Sequence, residues 1–265
     1  METKHILANH SYQELLDLLL WFHHQGPTPV LIGGWAVHSY NSYLGSVDID
    51  LVGPSMGGLF DATIEGFERE RGYQAVTTSI FYLGTSFRKP IYESNQIIGY
   101  MEIDACTYEN DPRVFHENQT KELPYSLCAR KELINDITLD KNCEARIPCK
   151  SLLFLYKLKA LRDRQFDLIE KTGVLSIERL AWLNTKITKD ASDLISLLDP
   201  NPEKYIINQK IDPKKIKKLI QEFSLEFCIE SISKLPNMES SCTQYRNIET
   251  SKVEKWVSEL IKKII

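Results

Sequence analysis

The stretch that most constrains the fold runs from Val30 to Val52 and reads VLIGGWAVHSYNSYLGSVDIDLV. It begins with a short apolar run, breaks at a Gly-Gly pair, continues as a short helix and ends in a second apolar run that carries two acids. Successive side chains of a strand point to opposite faces. The pattern therefore predicts a strand–helix–strand unit in which Asp48 and Asp50 project from one face of the second strand, Val47–Val52.

Two features of this unit indicate a phosphate chemistry. Neighbouring carboxylates repel each other, and both stay ionised at neutral pH most readily when a cation lies between them. Oxygen ligands favour a hard ion such as Mg²⁺. Gly33 and Gly34 stand at the predicted helix start, where backbone N–H groups attract phosphate. The stretch therefore predicts a site for a metal-bound polyphosphate, although it is neither a Walker A loop nor a dinucleotide fingerprint.

A later stretch offers a third acid. Residues 96–106 read QIIGYMEIDAC and predict a strand, with Glu102 and Asp104 on the face opposite Met101 and Ile103. A two-metal phosphoryl transfer requires at least two carboxylates on rigid neighbouring strands. Asp104 is therefore the expected third ligand and the acceptor of a hydroxyl proton, with Glu102 as the alternative. Acids that are merely solvated on an exposed sheet face are the competing interpretation.

The rest of the chain divides into a mixed first part and a helical second part. Apolar spacing predicts a helix over Ser11–His24, where Ser11 and Glu14 fit a capping box, and the composition becomes helical in pattern from Ser151 onward. The further predicted elements are a helix over Leu59–Arg71, β-type runs at Tyr73–Thr78 and Ile80–Phe87, a hairpin of Ile137–Leu139 with Glu144–Ile147, and a long helix over Lys150–Lys171.

These elements predict an α/β (α+β) fold. A mixed β-sheet flanked by helices is expected in residues 1–148, and an all-helical C-terminal region is expected in residues 149–265. Helices prevail after the boundary because no β-type alternation follows Pro148.

Composition restricts the class of protein. A net charge of -4 argues against a chain that coats nucleic acid along its whole surface. Residues 150–189 nevertheless hold nine Lys/Arg against four Asp/Glu, which would suit phosphates or a solvated helix face about equally well. The six cysteines form no CxxC pair, and no apolar run reaches the 18 or so residues of a membrane span. We therefore expect a cytoplasmic chain with reduced thiols and no membrane partner.

The segment GGWAVHSYNSYLGSVDIDLV, with Asp104 as the third acid, resembles the signature of the DNA polymerase beta-type nucleotidyltransferase superfamily. KLKALRDR, residues 157–164, and KDASDLISLL, residues 189–198, are similar to helical motifs of the minimal and abortive-infection nucleotidyltransferases. Those proteins include the toxin halves of toxin–antitoxin pairs. The resemblance implies a nucleotidyltransferase-type sheet in 1–148, followed by a helical domain.

The resemblance also implies an activity and a set of site residues. The activity is the transfer of a nucleoside monophosphate from an NTP such as ATP to an acceptor hydroxyl, with two Mg²⁺ ions. Leu44 departs from the branch, which often carries an arginine four residues before the first metal acid. The implied residues are Asp48, Asp50 and Asp104 as catalytic metal ligands, and Gly33, Gly34, Ser46, Lys159 and Arg164 as nucleotide-binding residues.

Several alternatives stay open at this stage. The acceptor is a tRNA 3′ end, a protein side chain or a small molecule such as an aminoglycoside, and an antitoxin-like protein is an expected partner of the toxin version. A second class of function is a catalytically silent module that binds a nucleotide or a partner protein through the same fold. Asp190 and Asp193 are expected to orient the basic helix rather than to bind metal.

Overall fold

The structure is a computed structural model that describes residues 2–77, 85–109, 112–116, 118–140 and 143–265, without the side chains of 2–4, 76–77 and 85–86. The chain forms two compact units. Unit 1 comprises Met1–Ala36, Gly45–Asp111 and Tyr125–Pro148. Unit 2 comprises Val37–Leu44, Pro112–Pro124 and Cys149–Ile265.

Unit 1 is built around a mixed sheet of seven strands, as far as the described residues show. The helices are α1 (Glu2–Gln25), the start of α2 (Gly33–Tyr40) and α3 (Leu59–Glu70). The strands are β1 (Val30–Ile32), β2 (Ile49–Gly53), β3 (Gln74–Thr77), β4 (Thr85–Glu93), β5 (Gln96–Thr107), β8 (Ile134–Thr138) and β9 (Glu144–Pro148).

The order of the strands places the two acid-bearing strands side by side. It reads β3-β4-β5-β2-β1-β9-β8. The central strand β2 runs parallel to β5 and antiparallel to β1, and β1 runs parallel to β9. Both neighbours of β2 are therefore strands of the predicted site. The mixed sheet with flanking helices confirms the predicted fold class.

The apolar face of this sheet is covered by helices. Leu15, Leu16 and Phe22 of α1 are fully buried, and the Phe22 ring packs against Phe60 of α3 at a centroid distance of 5.5 Å. Trp21 adds a hydrogen bond from its indole N–H to the Thr63 carbonyl oxygen at 3.0 Å. Burying such side chains stabilises the sheet by roughly 1.5–3 kcal/mol each.

The predicted start of the first helix was wrong. α1 begins at Glu2 rather than at Ser11, and Ser11 lies inside the helix. The reason is tertiary: the Ser11 hydroxyl is fully buried and accepts a hydrogen bond from Trp35 Nε1 at 3.0 Å. Glu14, the supposed partner in the capping box, instead accepts hydrogen bonds from Lys89 Nζ at 2.8 Å on both carboxylate oxygens.

Most other predicted elements of the first half are present. The hairpin is confirmed by β8 and β9, which pair antiparallel, and α3 ends one residue before its predicted end. The acidic strand begins at Ile49 instead of Val47, so Asp48 precedes it. Residues 78–84 and 141–142 of the predicted β-type runs and of the hairpin loop lie outside the described residues.

Unit 2 contains a small antiparallel pair and a set of helices. The pair is β6 (Val114–Phe115) with β7 (Asn118–Glu122). The helices are α4 (Lys150–Glu170), α5 (Ile177–Leu198), α6 (Pro213–Phe223), α7 (Cys228–Ser233), α8 (Glu239–Gln244) and α9 (Thr250–Ile264). The helical character of residues 149–265 is thereby confirmed for the described chain, whereas the domain boundary at Pro148 stays a prediction.

A buried ionic cluster joins α4 to α5. Lys157 Nζ lies 2.6 Å from Asp193 Oδ2 and 3.8 Å from Asp190 Oδ1, and Arg164 pairs with Asp190. Removal of one partner of a buried ion pair leaves an uncompensated charge, which costs roughly 3–5 kcal/mol. Asp190 and Asp193 therefore orient the basic face of α4, as the sequence predicts.

The sequence predicts reduced thiols and no membrane span. All six cysteines are free thiols. Within the described part of the chain, no helix combines the length and the apolar character needed to cross a membrane.

The first prediction concerns Glu68, a buried carboxyl of α3 that is 7% exposed. Burial, with a smaller contribution from Glu65, raises the pKa of Glu68 from its usual 4.5 to about 7. The folded state therefore binds more protons than the unfolded state between these pH values, and stability falls as the pH rises through them. We expect Glu68→Gln to raise the free energy of unfolding by roughly 1–2 kcal/mol at pH 8 and to change it little below pH 4.5.

Urea unfolding at both pH values measures this effect. Glu70→Gln, at an exposed position of the same helix, is the matched control and should change neither value. An equal effect of Glu68→Gln at both pH values would contradict the assignment.

Candidate active site

The site is organised by the register of three strands in unit 1. Asp50 on β2 pairs with Asp104 on β5, and Ile32 at the end of β1 pairs with Asp50 from the other side. Paired residues of neighbouring strands lie about 4.8 Å apart and project to the same face of the sheet. The structure therefore brings together Asp50 and Asp104, which are 54 positions apart in sequence.

The surroundings of the two acids differ. Asp50 is half-buried between apolar neighbours, because Ile49 and Leu51 turn to the covered face of the sheet. Asp104 is exposed on β5. Of the residues that the structure describes, none forms an ion pair with Asp50. Among the described residues, no cation therefore compensates the charge of Asp50.

Gly33 makes room for the Asp50 carboxylate. It lies directly after β1 at the start of α2 and adopts φ +65°, a backbone conformation that favours glycine. A Cβ atom at this position would stand 1.8 Å from Asp50 Oδ2 and 2.4 Å from Asp50 Cγ. The carboxylate thus packs against the glycine backbone beside the positive end of α2, which stabilises a negative charge.

The other predicted residues of unit 1 lie near this junction in sequence, but with different burial. Gly34 is buried as the second residue of α2, and Ser46 is buried before β2. Asp48 is half-buried and stands one residue before β2 rather than within it. The strand alternation that the sequence suggested for Asp48 and Asp50 therefore starts only at the second of the two acids.

Glu102, the alternative third acid, is engaged elsewhere. It is the cross-strand partner of Arg88 on β4, and the Arg88 guanidinium donates a hydrogen bond to its carboxylate. Lys89 is likewise paired, with the buried Glu14. These contacts favour Asp104 as the third acid. They also show that Arg88 and Lys89 on β4 already pair with carboxylates of unit 1.

Lys159 and Arg164 belong to unit 2 and have partners there. Lys159 pairs with Asp163 one helical turn later, and its Nζ lies 5.2 Å from the centre of the Phe115 ring. Arg164 pairs with Asp190 of α5. Their assignment to phosphate binding stays a prediction.

Two residues of α2, Trp35 and His38, have structural contacts. Trp35 is buried, donates its indole N–H to Ser11 and packs against the Tyr12 ring at 5.2 Å. His38 Nδ1 lies 3.0 Å from the Leu44 carbonyl oxygen, within hydrogen-bond distance. These contacts give both side chains a structural role.

The carboxylates suit a hard cation, although their side chains do not enclose one. Asp50 and Asp104 supply oxygen donors at adjacent positions of the sheet, which is the ligand type that Mg²⁺ prefers. Among the described residues, however, no three His, Cys, Asp or Glu side chains lie close enough together to hold an ion. The donor chemistry fits a magnesium ion. The strand register brings together two of the three predicted ligands, Asp50 and Asp104, whereas Asp48 precedes β2 and is not gathered with them.

Sequence patterns missed part of this arrangement. Nothing in the Gly-Gly pair alone indicates that its first glycine makes room for an acid 17 residues later. A signal for the Arg88–Glu102 pair does exist, because opposite charges on consecutive predicted strands often face each other. The pairing could not be assigned without the strand register.

No family model matches the chain, and no curated protein matches it in sequence. The crystal structure of an antigenic nucleotidyltransferase-like protein from Paracoccidioides brasiliensis is 15% identical, with a TM-score of 0.47, and the match covers 93% of this chain and 95% of that one.

A second solved structure is more distant. The solution structure of the antibiotic-resistance factor ANT(2'')-Ia is 11% identical, with a TM-score of 0.35, and the match covers 74% of this chain and 90% of that one. Because both TM-scores are below 0.5, these similarities add nothing to what the sheet and its register show.

The second prediction tests the contact between Gly33 and Asp50. Gly33→Ala places a Cβ against the carboxylate and a side chain in the left-handed region. We expect the free energy of unfolding to fall by roughly 2–4 kcal/mol, the combined cost of overpacking and of the unfavourable φ. Urea unfolding measures the change.

Gly72→Ala is the matched control, because Gly72 also has a positive φ of 77° but open space around its Cα. That variant should lose only about 1–2 kcal/mol. Equal losses in the two variants would show that the Asp50 carboxylate does not press on Gly33.

Proposed function

We propose that the chain is a magnesium-dependent nucleotidyltransferase, which transfers a nucleoside monophosphate from an NTP to an acceptor hydroxyl. The observation that carries this proposal is the register of Asp50 with Asp104 on parallel strands, with Gly33 packed against Asp50. Two carboxylates on rigid neighbouring strands beside a helix N-terminus are suited to a metal-bound triphosphate.

The roles of the chain's own residues follow from their positions. Asp50 and Asp104 would hold the magnesium ion, and Asp48 would complete the set of ligands. When bound, the ion would neutralise charge on the transferred phosphate and orient it for displacement. The backbone N–H groups of Gly33 and Gly34 would bind phosphate oxygens, with Ser46 as a further donor. Asp104, the exposed acid, would accept the proton of the incoming hydroxyl.

The proposal specifies the acceptor only as a molecule that bears a hydroxyl group. tRNA, a protein side chain and an aminoglycoside are the three classes to be compared. The toxin version, with an antitoxin-like partner protein, would be favoured by transfer to tRNA or protein. Transfer to an aminoglycoside would favour the small-molecule version.

The third prediction tests the reaction itself. Purified protein with Mg²⁺ and each labelled NTP should label at least one acceptor from total tRNA, a protein extract or an aminoglycoside panel. Asp50→Asn should lower the rate roughly a thousandfold, because it removes a metal ligand while keeping nearly the same shape. Scintillation counting of the separated acceptors measures the rate.

Asp61→Asn is the control for this variant, since Asp61 is an exposed acid of α3 outside the site. It should keep the full rate. Absence of transfer by the unaltered chain to every acceptor would support the catalytically silent module, and full activity of Asp50→Asn would rule out Asp50 as a metal ligand.

The fourth prediction distinguishes the two acids of β5. Asp104→Asn should lower the transfer rate to a similar extent as Asp50→Asn, and it should weaken Mn²⁺ binding measured by calorimetry. Glu102→Gln lies on the same face of the same strand but removes only the partner of Arg88. It should leave both the rate and Mn²⁺ binding within about twofold, because the Glu102 carboxylate is held by Arg88 and is not assigned to the metal. The reverse result would exchange the roles of the two acids.

A further inference from the structure

Unit 2 contains a cavity whose lining includes a buried lysine. The cavity has a volume of about 150 Å³ and lies among the start of α4, the end of α5, the segment before α6, and α9. Leu197, Trp256 and Leu260 form much of its apolar wall. Lys150, the first residue of α4, is one of its charged lining residues.

Lys150 is an unusual residue to bury. Its side chain is only 3% exposed, and none of the described residues forms an ion pair with it. The Tyr40 ring is its aromatic neighbour, with the centroid 6.0 Å from Nζ, at the outer limit of a cation–π contact. Burial lowers the pKa of Lys150 to about 8, although Asp199 opposes the shift. A buried ammonium without a counter-ion is costly, because charge is removed from water without compensation.

Asp199, the carboxylate that opposes this pKa shift and also lines the cavity, already has other partners. Asp199 Oδ2 accepts a hydrogen bond from the Tyr245 hydroxyl at 2.6 Å, and Asp199 Oδ1 accepts one from the Asn201 backbone N–H at 2.8 Å. Arg246 Nη1 lies 3.6 Å from the same carboxylate. Asp199 is therefore engaged by Tyr245, Asn201 and Arg246, and Arg246 also pairs with Glu203. No ion pair between described residues joins Asp199 to Lys150.

The mouth of the cavity does not compensate the lysine either. Lys210 and Lys263 are exposed lining residues, and Glu259 is the acid beside them. Glu259 and Lys263 are four residues apart on α9, so they lie on one face of the helix and their opposite charges offset each other. The lining therefore keeps an excess of positive charge, with the most desolvated cation at Lys150.

We propose that this cavity binds a small organic anion, with its charged head on Lys150 Nζ and its apolar body against Leu197, Trp256 and Leu260. An anion would supply the missing counter-ion in a desolvated position, where a charged hydrogen bond is strong. The volume is below the roughly 300–1,000 Å³ of pockets for drug-sized ligands, so the ligand is limited to about one ring with its charged group. This site lies within unit 2 and is independent of the transfer reaction.

The fifth prediction tests binding with four simple probes on the full chain. Benzoate and phenyl phosphate carry both an anionic head and a ring, benzyl alcohol carries only the ring, and inorganic phosphate carries only the head. Calorimetry should show binding of benzoate or phenyl phosphate at least tenfold tighter than binding of the two partial probes. Equal binding of benzyl alcohol would mean an apolar cavity without a role for Lys150, and would overturn the proposal.

Lys150→Met removes the charge and keeps the length of the side chain. It should weaken binding of the anionic probes at least tenfold, whereas Lys218→Met, at an exposed position of α6 outside the cavity, should not change it. Thermal unfolding of both variants establishes that they are folded. Unchanged binding by Lys150→Met would overturn the proposal.

A measurement on the unaltered chain keeps the test independent of these variants. In protein labelled with ¹³C at the lysine ε-carbon, one lysine should titrate well below the others. Saturating benzoate should move that titration upward, because the anion stabilises the ammonium form. No movement in the presence of any of the anionic probes would show that the cavity holds only solvent.

Discussion

The contact between Gly33 and the Asp50 carboxylate determines how unit 1 is assembled around its acids. The chain must leave β1, turn at once into α2 and still allow the neighbouring strand β2 to place a charged side chain beside the helix start. Only a residue without a Cβ leaves the required space, since Asp50 Oδ2 would otherwise lie 1.8 Å from it. A positive φ at the same position makes the turn possible. One glycine thus satisfies a steric and a conformational requirement together.

Asp50 and Lys150 differ from several other charged residues of the chain, which pair with side chains of opposite charge. Glu14 is paired with Lys89 and Arg71, Glu102 with Arg88, and Asp193 with Lys157. Buried charges are tolerated in a folded protein when they are paired, because an unpaired charge loses its hydration and gains no compensating interaction. Asp50 in unit 1 and Lys150 in unit 2 are not so compensated by the described residues. The proposed magnesium ion and the proposed organic anion would each supply the opposite charge that the chain does not.

The apolar patterns of the sequence predicted some elements well and missed others. Helices α3 and α4 and strands β1 and β5 match their predicted bounds to within about two residues, because each has a strong apolar period and clear terminal residues. The start of α1 was missed because Ser11 and Glu14 have the spacing of a cap but take part in long-range contacts with Trp35 and Lys89. Residues 107–135 are polar and have no clear pattern, and β6 and β7, which lie within them, are too short to show one.

The sequence by itself determined most kinds of element, the two acids that share a face of β5 and the place of the glycine pair, because periodicity and backbone preference are local properties. It also limited the chemistry, since carboxylates beside a helix start suit a metal-bound phosphate. The tertiary structure decided which acids become neighbours. The parallel register of β2 with β5 joins Asp50 to Asp104, and the antiparallel register of β4 with β5 assigns Glu102 to Arg88. It also decided that Lys150 is buried with no counter-ion among the described residues, because burial depends on helices roughly 50 to 110 residues further along the chain. Register and burial arise from packing between distant segments, and no local pattern contains them.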